Sequence, residues 1–284
     1  MSETTKKYFF TYEESDEKGA GPEELLNRIL EDHELPGLKH MIIGYWGECF
    51  EQDPQELIDG IIANKERFAH IESLYFGDMD YEECEASWIT QGNYNGLFAA
   101  LPGLKELTIK GSTELVLGKG IRHEQLERLE IVCGGLDLEV IRDIANAELP
   151  SLKTLVLYLG VEDYGLTAGI EDLAGLIDKA HFPALTHLGL VDSEMQDELA
   201  GMILNSDLLP QLETLDLSYG VLTDRGGEIL LAGRDQLSGL KKLEINYHFM
   251  TDQMVKQLEA LPFEVCISDP QGSDARYQYP ILTE

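Results

Sequence analysis

The sequence predicts an α/β solenoid: a curved parallel sheet along one face, helices along the other, about eight repeats, and a cap at each end. Two observations predict it. A six-residue pattern, apolar-x-x-apolar-x-apolar, recurs eight times, with first positions 22 to 33 residues apart. Within each copy the alternation has period two, the mark of a strand with one buried face, and between most copies it changes to spacings of three and four.

The copies begin at Leu38/Met41/Ile43, Ile71/Leu74/Phe76, Leu104/Leu107/Ile109 and Leu126/Leu129/Ile131. They continue at Leu152/Leu155/Leu157, Leu185/Leu188/Leu190, Leu212/Leu215/Leu217 and Leu240/Leu243/Ile245. Helical spacing follows at 53–69, 137–147, 170–180, 194–204 and 223–233. Several of these segments open on Asp, Thr or Asp-Pro, residues that cap or begin helices. The third unit, TELVLGKGIRHEQ (113–125), has glycine spacing instead and predicts extended backbone on the convex side. A strand and helix repeated at about this period is the leucine-rich repeat. No unit can bury its own leucines, so the units stack, and helices wider than the strand spacing bend the stack.

Open ends would expose leucines and strand edges. Residues 1–34, with KYFFTYEE and PEELLNRILED, predict an N-terminal cap. Residues 35–268 form the repeat domain, and LPFEVCISDP supplies its last strand. Residues 269–284 are a tail that folds back over that strand.

The segment 212–230 most closely resembles the long, ribonuclease-inhibitor-like repeat, and 190–200 and 245–255 keep its phase. The asparagine those repeats carry after the strand is replaced here by Trp46, Met79, Ser112, Gly134, Gly160, Ser193, Gly220 and His248, so other groups must satisfy the turn backbone. The runs YEECEASWI (81–89), LYLGVEDYG (157–165), LDLSYGVLTD (215–224) and YQYPILTE (277–284) resemble an uncharacterised bacterial family of cytoplasmic leucine-rich-repeat proteins. That resemblance implies the fold and a cytoplasmic location, and no activity.

Composition narrows the function. With 21 basic and 53 acidic residues the formal charge is −32. Such a chain repels nucleic-acid phosphates and anionic lipid, and attracts basic partners in a salt-dependent way. The four cysteines are scattered, which argues for free thiols in a reducing compartment. There is no phosphate loop, no G-x-S-x-G and no H-E-x-x-H, so no catalytic residue, cofactor or metal is assigned.

The expected function is a non-enzymatic scaffold that binds a protein or peptide, with a basic one favoured by the charge. The third, fifth and seventh positions of each copy point away from the core. They place Tyr75, Val132, Val156, Tyr158, Val191, Asp216 and Glu244 on the concave face, with Tyr219 and Tyr247 just past the strands as further contacts. Tyr45, Trp46, Tyr81, Tyr164 and Phe249 extend the aromatic edge. An alternative is a regulator or inhibitor of a basic enzyme or small GTPase. A weaker one is a metal or enzymatic site in the 78–88 loop. There Asp78, Asp80, Tyr81, Glu82 and Glu83 form an acidic rim without calcium-loop spacing, Cys84 and Trp88 pack inward, and the acids disfavour a Cys84 thiolate.

Overall fold

The computed structural model describes residues 4–178 and 180–282. Among these residues ten parallel strands follow one another across a single sheet in chain order, each paired with the next. They are β1 (Thr5–Tyr8), β2 (His40–Ile43), β3 (Ser73–Phe76), β4 (Glu106–Lys110) and β5 (Arg128–Val132), then β6 (Thr154–Gly160), β7 (His187–Ser193), β8 (Thr214–Asp216), β9 (Lys242–Glu244) and β10 (Glu264–Cys266). The eight copies of the pattern are β2 to β9. Helices α1 (Tyr12–Lys18), α2 (Pro22–Glu31), α3 (Gln55–Ala63), α4 (Lys65–Phe68) and α5 (Leu97–Ala100) belong to the first units. Helices α6 (Leu138–Ala145), α7 (Gln196–Leu204), α8 (Asp224–Ala232) and α9 (Asp252–Leu258) belong to the later ones. This is the α/β leucine-rich-repeat solenoid.

Register explains the repeat. Met41, Leu74, Leu107, Leu129, Leu155, Leu188, Leu215 and Leu243 pair strand to strand in one row, and each is at most 1% exposed. A leucine-sized side chain buried there contributes about 1.5–3 kcal/mol, which no isolated unit could gain.

The motif's second position carries a device that hydrophobic periodicity does not reveal. Lys39 and Lys105 flank Glu72 at 2.8 and 2.7 Å, and Lys153–Glu127 and Lys241–Glu213 pair at 2.7 Å. Opposite charges in neighbouring parallel strands thus sit side by side, a modest aid to register.

Helix starts are tied between repeats. Asp197, at the start of α7, accepts from the Thr223 backbone N–H (2.8 Å), the Thr223 hydroxyl (2.6 Å) and the Gly226 N–H (3.0 Å), which fixes the N-cap of α8. Asp224 treats Thr251, the N-cap of α9, in the same way. These bonds account for the shared phase of the last three units.

In place of an asparagine ladder, glutamine and serine side chains satisfy the backbone at three of the turns. Gln91 Nε2 donates to the Lys110 carbonyl (2.7 Å), Ser112 Oγ to that of Gly135 (2.6 Å) and Gln196 Nε2 to that of Leu190 (2.8 Å). The third unit runs extended, with bridges from Thr90 to Thr113 and from Asn93 to Val116. One segment departs from expectation. Ile170–Ile177 is a 3₁₀-helix, not an α-helix, and the expected segment's Lys179 lies outside the described residues.

Candidate functional site

The outward sheet face carries Tyr75, Val132, Tyr158 and Glu244, all partly exposed. Burial, with Asp78 and Glu130 adding to it, pushes the Tyr75 phenol up to about 12. Burial raises Tyr158 as well, so both phenols stay neutral hydrogen-bonding groups. Glu130 is paired with Arg128 at 2.9 Å, and Glu244 with Lys242.

Three expected contact residues are not available on this face. Val191 is 0% exposed, Val156 6% and Asp216 8%. Val191 pairs with Tyr158 on β6, and the Tyr158 ring stacks on Tyr219 from the turn after β8, 6.1 Å between centroids and 14° from parallel. The rings therefore straddle the strand that carries Val191 and cover it. Val156 lies against Gly189, where a Cβ would stand 3.1 Å away. The Asp216 carboxylate turns back to accept from its own turn at the Ser218 N–H (2.9 Å), and burial pushes its carboxyl up to about 6.

The aromatic edge also divides. Tyr45, Trp46 and Phe249 are buried, whereas Tyr81 is exposed and Tyr164, Tyr219 and Tyr247 are half-buried. Trp46 donates its indole N–H to the Gln52 carbonyl at 3.0 Å, the partner a buried tryptophan needs.

In the 78–88 loop the acids serve the loop itself. Asp80 accepts from the Glu82 and Glu83 N–H groups, Glu83 accepts from Asp80 N–H, all at 3.0 Å, and Asp78 pairs with Lys7 at 3.0 Å. Among the described residues no three His, Cys, Asp or Glu side chains converge as a metal site would require. Cys84 is buried, as expected, but Trp88 is 59% exposed. The 3₁₀ turn Ala86–Trp88 points Ala86 inward and Trp88 outward. The expectation for the Cys84 thiolate holds for the acid beside it but leaves out a second partner. The Cys49 thiol hydrogen-bonds to Cys84 and lowers its pKa, although burial and Glu85 oppose this. The same partner raises Cys49, so the first ionisation of the pair is eased and the second made harder.

The residues that hydrophobic patterning missed lie at the end of the chain. The tail does not stop at the last strand. Tyr247 donates its hydroxyl to the Tyr279 carbonyl (3.1 Å), Ile281 N–H donates to the Tyr219 carbonyl (2.9 Å), and Leu282 N–H donates to Asp192 Oδ1 (2.8 Å). The strap thus crosses the ends of β9, β8 and β7 in turn. Asp192 is fully buried, and the burial pushes its carboxyl up to about 7 against the opposing backbone donors. Beside the strap, Val161, Glu162, Asp163, Tyr164, Glu194 and Tyr279 line a cleft of about 370 Å³. A larger groove of about 620 Å³ lies far off, between β1 and the first helices. Four of its charges are paired with one another, Lys6 with Asp32 (2.6 Å) and Arg28 with Glu14 (2.7 Å).

A Bacteroides fragilis protein, whose crystal structure comes from a structural genomics consortium, is 43% identical to this chain. The match covers 98% of this chain and 77% of that one and superposes with a TM-score of 0.91. The chain belongs to the same family as that protein. The family's fold therefore extends over nearly all of the sequence. An internalin from Listeria monocytogenes covers 92% of this chain and 96% of its own at 13% identity, but its TM-score of 0.25 carries no argument. No family model and no curated protein matches. No helix among the described residues is long and apolar enough to cross a membrane.

Proposed function

We propose that this protein is a non-enzymatic interaction scaffold of the cytoplasm that holds a protein or peptide on its concave face and the adjoining loops. Residues 1–34 and 269–284 close the ends of a repeat domain of the ribonuclease-inhibitor-like subtype. The observation that carries the reading is the outward sheet face, where Tyr75, Val132, Glu130 and the stacked Tyr158 and Tyr219 rings stand partly open. Aromatic rings in a polar surround are the usual anchors of protein interfaces. Nucleic acid and membrane surfaces are disfavoured by the charge of −32.

The test is recovery of partners from the native cytosol on immobilised chain, compared with the same chain carrying Tyr158→Ala and Glu130→Lys. At least one partner should be lost from the double variant. Retention of every recovered partner would overturn the concave-face reading. The same charge favours, as a second reading, a regulator or inhibitor of a basic enzyme or small GTPase. Under that reading affinity falls at least tenfold between about 50 and 300 mM salt, and salt-independent binding rejects it.

A further inference from the structure

Among the described residues five that are not glycine have a left-handed backbone, and three of them occupy one position of three successive repeats. Asp192 (φ +56°), Tyr219 (φ +71°) and Tyr247 (φ +57°) are each the eighth residue of their copy, the first past the outward-facing seventh position. Each donates its N–H to the next turn, at Ser218 (3.0 Å), Asn246 (2.8 Å) and Ser268 (2.9 Å). For tyrosine this conformation is a genuine outlier, costing on the order of 1–3 kcal/mol, and such strain persists where the surroundings impose it.

The same three residues hold the strap. Tyr247 offers it a hydroxyl, Tyr219 a carbonyl and Asp192 a carboxylate, and all three bonds go to strap backbone. The strap's side chains alternate as in an extended strand: Tyr279 and Ile281 face out, Pro280 is buried and Leu282 is half-buried. At the far end the Leu282 carbonyl lies so close to Gly134 that a Cβ there would stand 3.1 Å from it and 2.2 Å from Ser87 Oγ. Among the described residues, Asp192 Oδ2 and Ser87 Oγ are buried beside this end with no hydrogen-bond partner.

We propose that Tyr247, Tyr219 and Asp192 form a rail that reads the backbone of an extended peptide with Pro-x-aliphatic alternation, and that residues 279–282 are its built-in occupant. A partner peptide of that kind displaces the strap and takes over its three bonds. It gains further if it brings a donor to Asp192 Oδ2 or Ser87 Oγ, which the described strap residues leave unpaired. The inference rests on the scaffold reading above and places its peptide site at the sheet edge. It also gives the strain a purpose: the left-handed backbone turns successive repeats so that a hydroxyl, a carbonyl and a carboxylate line up across the strands.

The test uses the full chain and a fluorescein-labelled peptide of residues 273–282 as probe. In the full chain, Ile281→Pro with Leu282→Pro deletes the two donors of the strap and frees the rail. That chain should bind the probe at least tenfold more tightly than the unmodified chain, by anisotropy. A probe carrying Leu282→Asp should lose binding, while Ile281→Lys in the probe should keep it. Equal binding by both chains overturns the proposal, as does no binding to a proline variant whose circular dichroism and melting match the parent. Should that variant misfold, Tyr247→Phe decides instead. It removes one bond to the strap and should speed hydrogen exchange at Ile281 and Leu282 at least threefold, and unchanged exchange overturns the rail. Probe binding together with partners that survive Tyr158→Ala and Glu130→Lys would keep the rail and reject the concave-face reading. No probe binding together with partners lost would do the reverse.

Discussion

The two ends of the sheet treat their carboxylates in opposite ways. At the first strands, Glu14, Asp32 and Glu72 are each held down to about 2. Glu14 accepts from Thr11 N–H and Arg28. Asp32, although burial opposes it, accepts from Lys6 and Tyr8, and Glu72 sits between Lys105 and Lys39. At the last strands, Asp216 and Asp192 are pushed up to about 6 and about 7 by burial, with no cation against the Asp192 carboxylate. The first end is a solvated ion-pair lattice. The last end buries acid against backbone and aromatic rings. One repeat pattern therefore builds two edges of different chemistry, because the outward positions are free to vary while the leucine rows are not.

The largest expected effect is one that should erase the comparison. Leu155 is fully buried mid-sheet, in the row that every unit shares. Leu155→Ala should lower stability by about 2–5 kcal/mol in urea titration, and both ends should loosen together by hydrogen exchange. If one end kept its protection, the sheet would not be a single cooperative unit.

The next effect separates the ends by pH. A carboxyl whose pKa is raised by folding binds its proton more tightly in the folded chain. The stability it contributes is complete below about pH 4 and is lost as pH rises through about 6 for Asp216 and about 7 for Asp192. The lowered acids act the other way: their contribution is present above about pH 4 and is lost as pH falls toward 2. Asp192→Asn should therefore flatten the fall in Tm between pH 5 and 8 by several degrees and leave the acid limb below pH 4 unchanged. An unchanged slope between pH 5 and 8 would mean that Asp192 is ionised in the fold.

A smaller change tests whether the last repeats are tied through their helices. Asp197→Ala removes three hydrogen bonds to the turn and first residues of α8. A loss of about 1–3 kcal/mol is expected, read from thermal melts, with faster exchange in α8 and little change in α3. Equal changes in both helices would show that the tie is not local.

How much of this was legible follows from what each feature depends on. The eight strands were readable because the residues of each buried row obey a period that no other structure satisfies. The extended third unit was readable from its glycines. Val191 was misplaced because its burial depends on Tyr158 and Tyr219, which lie in other repeats and meet only after stacking. Trp88 was misplaced because a three-residue 3₁₀ turn, which leaves no periodic signature, sets which side of the loop faces in. The strap was the least legible. Its anchors are backbone atoms, which any sequence carries, and of the residues that receive them Tyr219 and Tyr247 were expected as contacts for a partner, whereas Asp192 was not singled out.

The smallest effect is the most direct measure of what distinguishes the strap end. At Tyr219, Tyr219→Ala removes the ring stacked on Tyr158 and keeps a Cβ in the left-handed backbone, whereas Tyr219→Gly removes both. The stack is lost equally, so the difference between the two variants isolates the backbone. Relief of a left-handed conformation is worth about 1–2 kcal/mol, against about 0.4–1 kcal/mol for the greater freedom of glycine in the unfolded chain. The Gly variant should therefore be the more stable of the two by up to about 1.6 kcal/mol in paired urea titrations. The reverse order holds at an ordinary position, such as Thr108 in the middle of β4, where glycine is the worse choice. If Ala and Gly ranked the same way at both positions, the left-handed turn at Tyr219 would carry no strain. The alignment of Tyr247, Tyr219 and Asp192 would then follow from the repeat alone, with no energy held in reserve for a partner.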